Sequence, residues 1–173
     1  MDRIYTLLRY TLPFTVMHAL SNHLPDLPAV MRFRGILLRP FFKKCGAGLV
    51  IGRNTHILYP SNIKLGENVY IGYGTCIMAV APIQIESQVY LGVGTVIVPG
   101  NHGKKGNSYR FGQRERAPIT IKKNAHIGPG AVLLKGVTIG ENAEVAANTP
   151  VARDVENNGH IFAAPARLIE KEA

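Results

Sequence analysis

The sequence predicts an all-β solenoid: a parallel β-helix of about five coils, with a short N-terminal helical segment and one long inserted loop. Two observations carry that reading. From Ile51 the chain repeats itself, so that IGRNTHILYPSNIKLGENVY, IGYGTCIMAVAPIQIESQVY, and LGVGTVIVPGNH continuing as ITIKKNAH fall under one another with a period of 20 residues. The third copy fits only when residues 103–118, a 16-residue insertion, are lifted out; Ile119, Ile121 and Ala125 then lie under Ile83, Ile85 and Val89. After it the period becomes 18, from Ile127 and again from Val145. Within each copy a branched aliphatic returns every six residues: Ile51, Ile57, Ile63; Ile71, Ile77, Ile83; Leu91, Ile97; Ile127, Leu133, Ile139; Val145, Val151. Six is neither the period of an amphipathic helix nor a sustained alternation. It is the spacing of a coil with three short faces, each burying one aliphatic. Coils stacked as parallel strands roughly 4.8 Å apart would make a prism roughly 24 Å tall.

The segments follow in order. Residues 1–48 carry no repeat; Ile4, Leu7, Leu8 and Leu12 keep helical spacing, Pro13, Pro25 and Pro28 punctuate, and Val30, Phe33, Ile36, Leu37 and Phe41 form a second apolar series. This reads as two short helices capping the lower end of the prism, since a β-helix must hide its terminal edges. The second reading is contact with an anionic membrane through Arg32, Arg34, Arg39, Lys43 and Lys44. Residues 49–162 are the coil, with the loop 103–118 inserted, and residues 163–173 are a C-terminal tail. Between faces the chain turns, and Gly52, Gly66, Asn68, Gly72, Gly74, Gly92, Gly94, Gly128, Gly130, Gly136, Gly140 and Asn142 are placed there as residues that tolerate positive φ.

Length and composition exclude several classes. At 173 residues, 46% apolar, with 18 Gly, 11 Pro and no Trp, the chain is one turn-rich globular unit rather than a disordered or long-helix protein. Cys45 and Cys76 have no ligand spacing, so neither a disulfide framework nor a zinc ribbon is encoded, and a reducing compartment fits best. Arg9, His18, Asp26, Arg32, Arg34 and Arg39 interrupt any run long enough to span a bilayer. Arg9 and Pro13 also break the start as a cleaved signal peptide. The net charge of +9 is uneven: the excess sits in residues 1–48 and in the loop, through Lys104, Lys105, Arg110, Arg114 and Arg116, while the remainder is neutral. A nucleic-acid binder spreads its basic residues over a face, so no nucleic-acid partner is expected.

The hexads IGYGTC, LGVGTV, IGPGAV and IGENAE have the form [LIV]-G-x-x-[ASTV]-x, and over about Ile51 to Arg167 the chain resembles the hexapeptide-repeat acyltransferases. Its C-terminal part, LLKGVTIGENAEVAANTPVARDV ending in AAPARLIE, is similar to the galactoside, maltose and serine acetyltransferase type. FFKKCGAGLVIGRNTHI is similar to the O-acetyltransferases of polysaccharide synthesis. The resemblance implies a left-handed parallel β-helix, a homotrimer with active sites between subunits, acetyl-CoA as acyl donor with no metal, and a cytoplasmic enzyme working on a saccharide or nucleotide-sugar acceptor in surface polysaccharide synthesis, with the inner face of the membrane as a possible station. An N-acetyltransferase of an amino sugar or nucleotide sugar is the alternative. A zinc carbonic anhydrase-like enzyme would need a third histidine beside His102 and His126, and a non-catalytic β-helix binding protein would not need His102.

Within that resemblance His102, in Pro99-Gly100-Asn101-His102 at the edge of the insertion, is placed as general base. An acceptor hydroxyl has too high a pKa to attack a thioester unaided, and a neutral imidazole in hydrogen-bond reach takes its proton as the new bond forms. The group that orients His102 is open between Asn101, Glu115 and a residue of an adjacent subunit. Asn101, Tyr109, Arg110, Phe111 and Arg114 are the acceptor candidates, the aromatics to stack on a sugar and the basic residues to attract an anionic one. For the donor the resemblance marks Pro129, Gly130, Ala147, Ala152, Arg153 and Arg167, with Ala163 and Ala164 departing from the usual G-N-P-A-K ending. His126 shares the phase of Tyr70 and Tyr90, which places it outward beside an aromatic column. No G-x-S-x-G is present, so direct transfer is expected rather than a serine intermediate.

Overall fold

The computed structural model describes residues 7–164, so Ile4 and Arg167, together with the side chains of Leu7 and Leu8, lie outside the described residues. The coil is a three-sided solenoid of about six turns, one more than the hexads alone suggest. Its ends add rungs that carry no hexad: at the lower end Lys44–Cys45 pairs beneath Lys64–Leu65, and at the upper end His160–Ile161 pairs above Glu144–Val145. Each side is a parallel sheet. Face A stacks Lys44–Cys45, Ile63–Leu65, Ile83–Ile85, Ile119–Ile121 and Thr138–Ile139; face B stacks Val50–Ile51, Tyr70–Ile71, Tyr90–Leu91, His126–Ile127, Glu144–Val145 and His160–Ile161; face C stacks His56–Leu58, Cys76–Met78, Val96–Val98, Val132–Leu134 and Pro150–Val151.

The inward aliphatics form rows: Ile51, Ile71, Leu91, Ile127 and Val145 on face B, and Ile57, Ile77, Ile97, Leu133 and Val151 on face C, all buried in one continuous core. Lifting out the insertion brings Ile119 and Ile121 onto Ile83 and Ile85. One register differs from the simple six-residue count, because Ile139 continues the row of Ile121 and Ile85, not that of Ile119 and Ile83. The 20-residue coils carry two extra residues at the corner between faces C and A, at Tyr59–Asn62 and at Ala79–Pro82, and the long loop grows from that same corner.

The glycines divide into two kinds, and this corrects the turn reading. Gly74, Gly94, Gly130 and Gly136 have positive φ, as do Asn68 and Asn142. Gly52, Gly66, Gly72, Gly92, Gly128 and Gly140 do not; a Cβ on any of them would stand within 3 Å of backbone in the next coil, for example 2.6 Å from Pro129 N at Gly92 and 2.6 Å from Ala147 N at Gly128. The glycine of each [LIV]-G pair is there to let rungs approach at the sheet spacing rather than to free φ. Buried Thr75 and Thr95 hydroxyls donate to the carbonyls of Gly72 and Gly92, 2.8 Å each, so the polar position of the hexad is satisfied inside the stack.

Two helices cover the lower end. We number them α1, Leu12–Asn22, preceded by a π-helical turn at Leu7–Thr11, and α2, Pro28–Leu38. Prolines at the first turn of each suit the fixed φ there. Gly35 of α2 lies so close to the coil that a Cβ would sit 1.9 Å from Leu49 O. Arg34 is wholly buried, which removes it from the surface charge on which the membrane reading drew: its guanidinium donates to the carbonyls of Ser21, Leu24 and Ile51 and to Asp26 Oδ1 at 3.0 Å. Asp26 also accepts from the backbone N–H of Arg53, and Asn22 Oδ1 from that of Asn54, so the interhelix link satisfies donors on the exposed first coil.

His18 is likewise part of this joint. Its Nε2 lies 2.9 Å from Thr55 Oγ1, and burial, then the nearby charges of Arg34 and His56, push its pKa down to about 4. In the unfolded chain a histidine titrates near 6.5, so between about 4 and 6.5 the unfolded state binds a proton that the folded state refuses. Stability is therefore lost as pH falls through that window, by up to about 3 kcal/mol. Thermal unfolding of the wild type is expected to weaken over this range, and His18→Asn to flatten the dependence; an equal slope in both would contradict the assignment.

Candidate functional site

The long loop leaves the coil as an antiparallel hairpin, with Gly100–His102 against Arg114–Arg116 in the register Gly100↔Arg116, Asn101↔Glu115 and His102↔Arg114. The sequence marks its boundary from the repeat; the structure shows that pairing extends three residues below it on the outgoing strand, and that Ala117 N–H still bonds Pro99 O across the base. A cleft of about 340 Å³ opens between this hairpin and face C. Leu58, Tyr59, Met78, Val80 and Val98 form its apolar side, while Gly100, Asn101, His102, Arg114, Glu115 and Arg116 form the polar side. Face C, with Tyr59 and Val80 from the corner extensions of the lower coils, thus builds one wall and the insertion builds the other. Tyr59 holds a left-handed backbone, φ 56°, rare for an aromatic residue.

His102 is exposed in this cleft. Its backbone N–H donates to Asn101 Oδ1 at 2.8 Å, so Asn101 braces the strand rather than the imidazole. Glu115 is held by Lys135 at 2.6 Å, and that hydrogen bond and charge lower its carboxyl pKa. Among the described residues no side chain hydrogen-bonds the His102 imidazole. Lys135 was not singled out from sequence; it lies at the same corner one coil above the insertion, where the change of period from 20 to 18 locates it.

Of the acceptor candidates, Asn101 and Arg114 share the cleft with His102. Tyr109, Arg110 and Phe111 lie farther out on the loop, with both rings well exposed; Lys104 sits 5.9 Å over Tyr109 and Arg110 5.4 Å over Phe111. The donor candidates occupy two edges. Ala152 and Arg153 follow face C on the same edge as His102, in a groove of about 480 Å³ with Thr149, Pro150, Ile161, Phe162, Ala163 and Ala164. Pro129, Gly130 and Ala147 form the opposite edge of face C, where Gly130 packs beneath Asn148 and Pro129 O accepts from Asn148 N. One chain therefore offers the two sets on either side of a single face. His126 stands outward, 5.4 Å from the Tyr90 ring, in a column with the stacked Tyr70 and Tyr90 rings below it and Glu144 and His160, which pair with each other, above.

Three comparisons bear on this geometry. Residues 118–151 match the family of bacterial transferase hexapeptides with six repeats. Galactoside O-acetyltransferase of Escherichia coli K12 is 37% identical over 68 residues, 39% of this chain and 30% of that protein. The chain matches 26 to 30% of the length of curated relatives such as this. Solved structures superpose over nearly the whole fold. A maltose O-acetyltransferase from Clostridium difficile 630 is 27% identical with a TM-score of 0.80, covering 98% of this chain and 89% of that one. A galactoside acetyltransferase in complex with coenzyme A is 25% identical with a TM-score of 0.80, covering 99% and 84%.

Proposed function

We propose that this chain, a hexapeptide-repeat protein of the bacterial transferase type, is an acetyl-CoA-dependent O-acetyltransferase of a saccharide, with His102 as general base. The observation that carries the reading is the position of His102: an exposed imidazole on a hairpin that grows from the coil corner, facing an apolar wall in a cleft open to solvent. In that place His102 accepts the proton of an acceptor hydroxyl as its oxygen bonds the acetyl carbon, and returns it to the departing sulfur. Backbone N–H groups of the coil wall are suited to the developing oxyanion. Arg153 is suited to a phosphate of the donor, beside the small Ala152 that leaves the groove open.

The assembly belongs to the same proposal. The outer side of face C carries Leu58, Cys76, Met78, Val96, Val98, Val132, Leu134 and Pro150, with His56 at its lower end, whereas face A presents Lys44, Lys64, Gln84, Thr120 and Thr138. Packing face C against neighbouring copies in a trimer would bring the Pro129–Gly130–Ala147 edge of one subunit toward the His102 edge of the next. It would also supply an orienting group to the imidazole. The acceptor is an anionic saccharide or nucleotide sugar, through Arg110, Arg114 and the exposed rings of Tyr109 and Phe111. A role in surface polysaccharide synthesis follows from that acceptor class.

The test is steady-state transfer over a panel of neutral sugars, nucleotide sugars and acidic oligosaccharides. Arg110→Ala combined with Arg114→Ala is expected to raise KM for an anionic acceptor about tenfold while leaving KM for acetyl-CoA unchanged. Equal effects on neutral and anionic acceptors would remove the charge-recognition part of the proposal.

A further inference from the structure

We propose that the α1–α2 pair docks the protein on an anionic membrane surface. The helices do two things at once. Their inner side caps the coil through Phe14, His18, Ser21, Met31, Arg34 and Leu38, all buried. Their outer side is apolar and uncovered: of sixteen large apolar side chains exposed among the described residues, eight fall between Leu12 and Ile36. In α1, Leu12, Val16 and Leu20 follow one another at four-residue spacing with Met17 beside them, on the side away from the buried residues. In α2, Phe33 and Ile36 are exposed at 51% and 71%, flanked by the exposed Arg32 and Arg39. A capping helix needs one apolar side; these carry a second.

Charge selects the occupant. Between residues 7 and 48 the acidic residue is Asp26, and it is bound to Arg34 and to the Arg53 N–H. The other charged side chains of that stretch, Arg9, Arg32, Arg39, Lys43 and Lys44, are basic and exposed. An apolar helix side flanked by Arg32 and Arg39 fits the boundary of an anionic bilayer, with the apolar residues among the upper acyl chains and the cations among phosphates. A second copy brought face to face by a two-fold axis would instead set these like charges against one another. No helix among the described residues is long and apolar enough to cross a membrane, so the pair lies in the interface.

The experiment is co-sedimentation of the full chain with vesicles of phosphatidylcholine, alone or with about one third phosphatidylglycerol. Binding is expected to be about tenfold stronger or more on the anionic vesicles and to fall as salt rises. The double variant Leu20→Glu, Ile36→Glu, altering exposed residues only, is expected to lose about tenfold or more of that binding with melting temperature and transfer to a soluble acceptor unchanged, which separates this proposal from the catalytic one. Binding indifferent to lipid charge, no binding, or full binding by the double variant would overturn it. So would a double variant whose solution mass falls below that of the wild type, since the face would then be covered by another copy.

Discussion

Replacing Arg34 with methionine is expected to cost about 3–5 kcal/mol of stability, measured by urea unfolding. The guanidinium lies wholly inside the joint between the helices and the coil, where it donates to three carbonyls from two separate parts of the chain and to Asp26. Methionine fills much of the volume but leaves the carbonyls of Ser21, Leu24 and Ile51 without that donor, and Asp26 without its counter-charge. Arg34→Lys is expected to lose most of the same stability, because a single ammonium cannot span the fork that reaches Ser21 and Ile51 together. A loss below about 1 kcal/mol for the methionine variant would mean that the helices are held by their apolar contacts alone.

The second large effect is catalytic. His102→Ala is expected to lower acetyl transfer by about two to four orders of magnitude, read in kcat, with KM for acetyl-CoA little changed. The imidazole is exposed and takes no part in the core, so the variant is expected to melt with the wild type, and loss of activity cannot then be charged to unfolding. Lys135→Ala serves as a comparison. It frees Glu115, which shares the polar side of the cleft, from its ion pair and is expected to change activity by less than tenfold, since Glu115 pairs with Lys135 and not with the imidazole.

Most of the coil was legible because one physical demand, an aliphatic on each short face, recurs with a fixed period and overrides local propensity. Ile51, Ile77 and Leu91 could be placed inside from spacing alone, and the pairing of Ile119 with Ile83 followed once residues 103–118 were set aside. The rungs at Lys44–Cys45 and His160–Ile161 were not visible, since outside the hexads each is held by main-chain pairing to a neighbour rather than by its own pattern. Glycine was misread for a related reason: sequence shows that a residue lacks a Cβ but not whether torsion or the next coil demands it, and at Gly72 and Gly92 it is the next coil. In the candidate site, His102 is marked by the family resemblance and by the insertion that breaks the repeat beside it, and Arg114 by its charge within that insertion. Tyr59, Met78 and Lys135 were not, because they come to that corner from other coils and carry no motif of their own. Arg34 looked like one surface charge among five; only packing reveals the carbonyls that it serves.

Under the proposed function, this coil transfers an acetyl group from acetyl-CoA to a saccharide at the His102 cleft. The most direct measurement is release of free thiol from acetyl-CoA by the purified wild type as each acceptor of the panel is added. A rate that rises and saturates with a saccharide acceptor, above a low rate without one, is the expected result. Thiol release that no acceptor stimulates would rule out acetyl transfer to a saccharide by this chain.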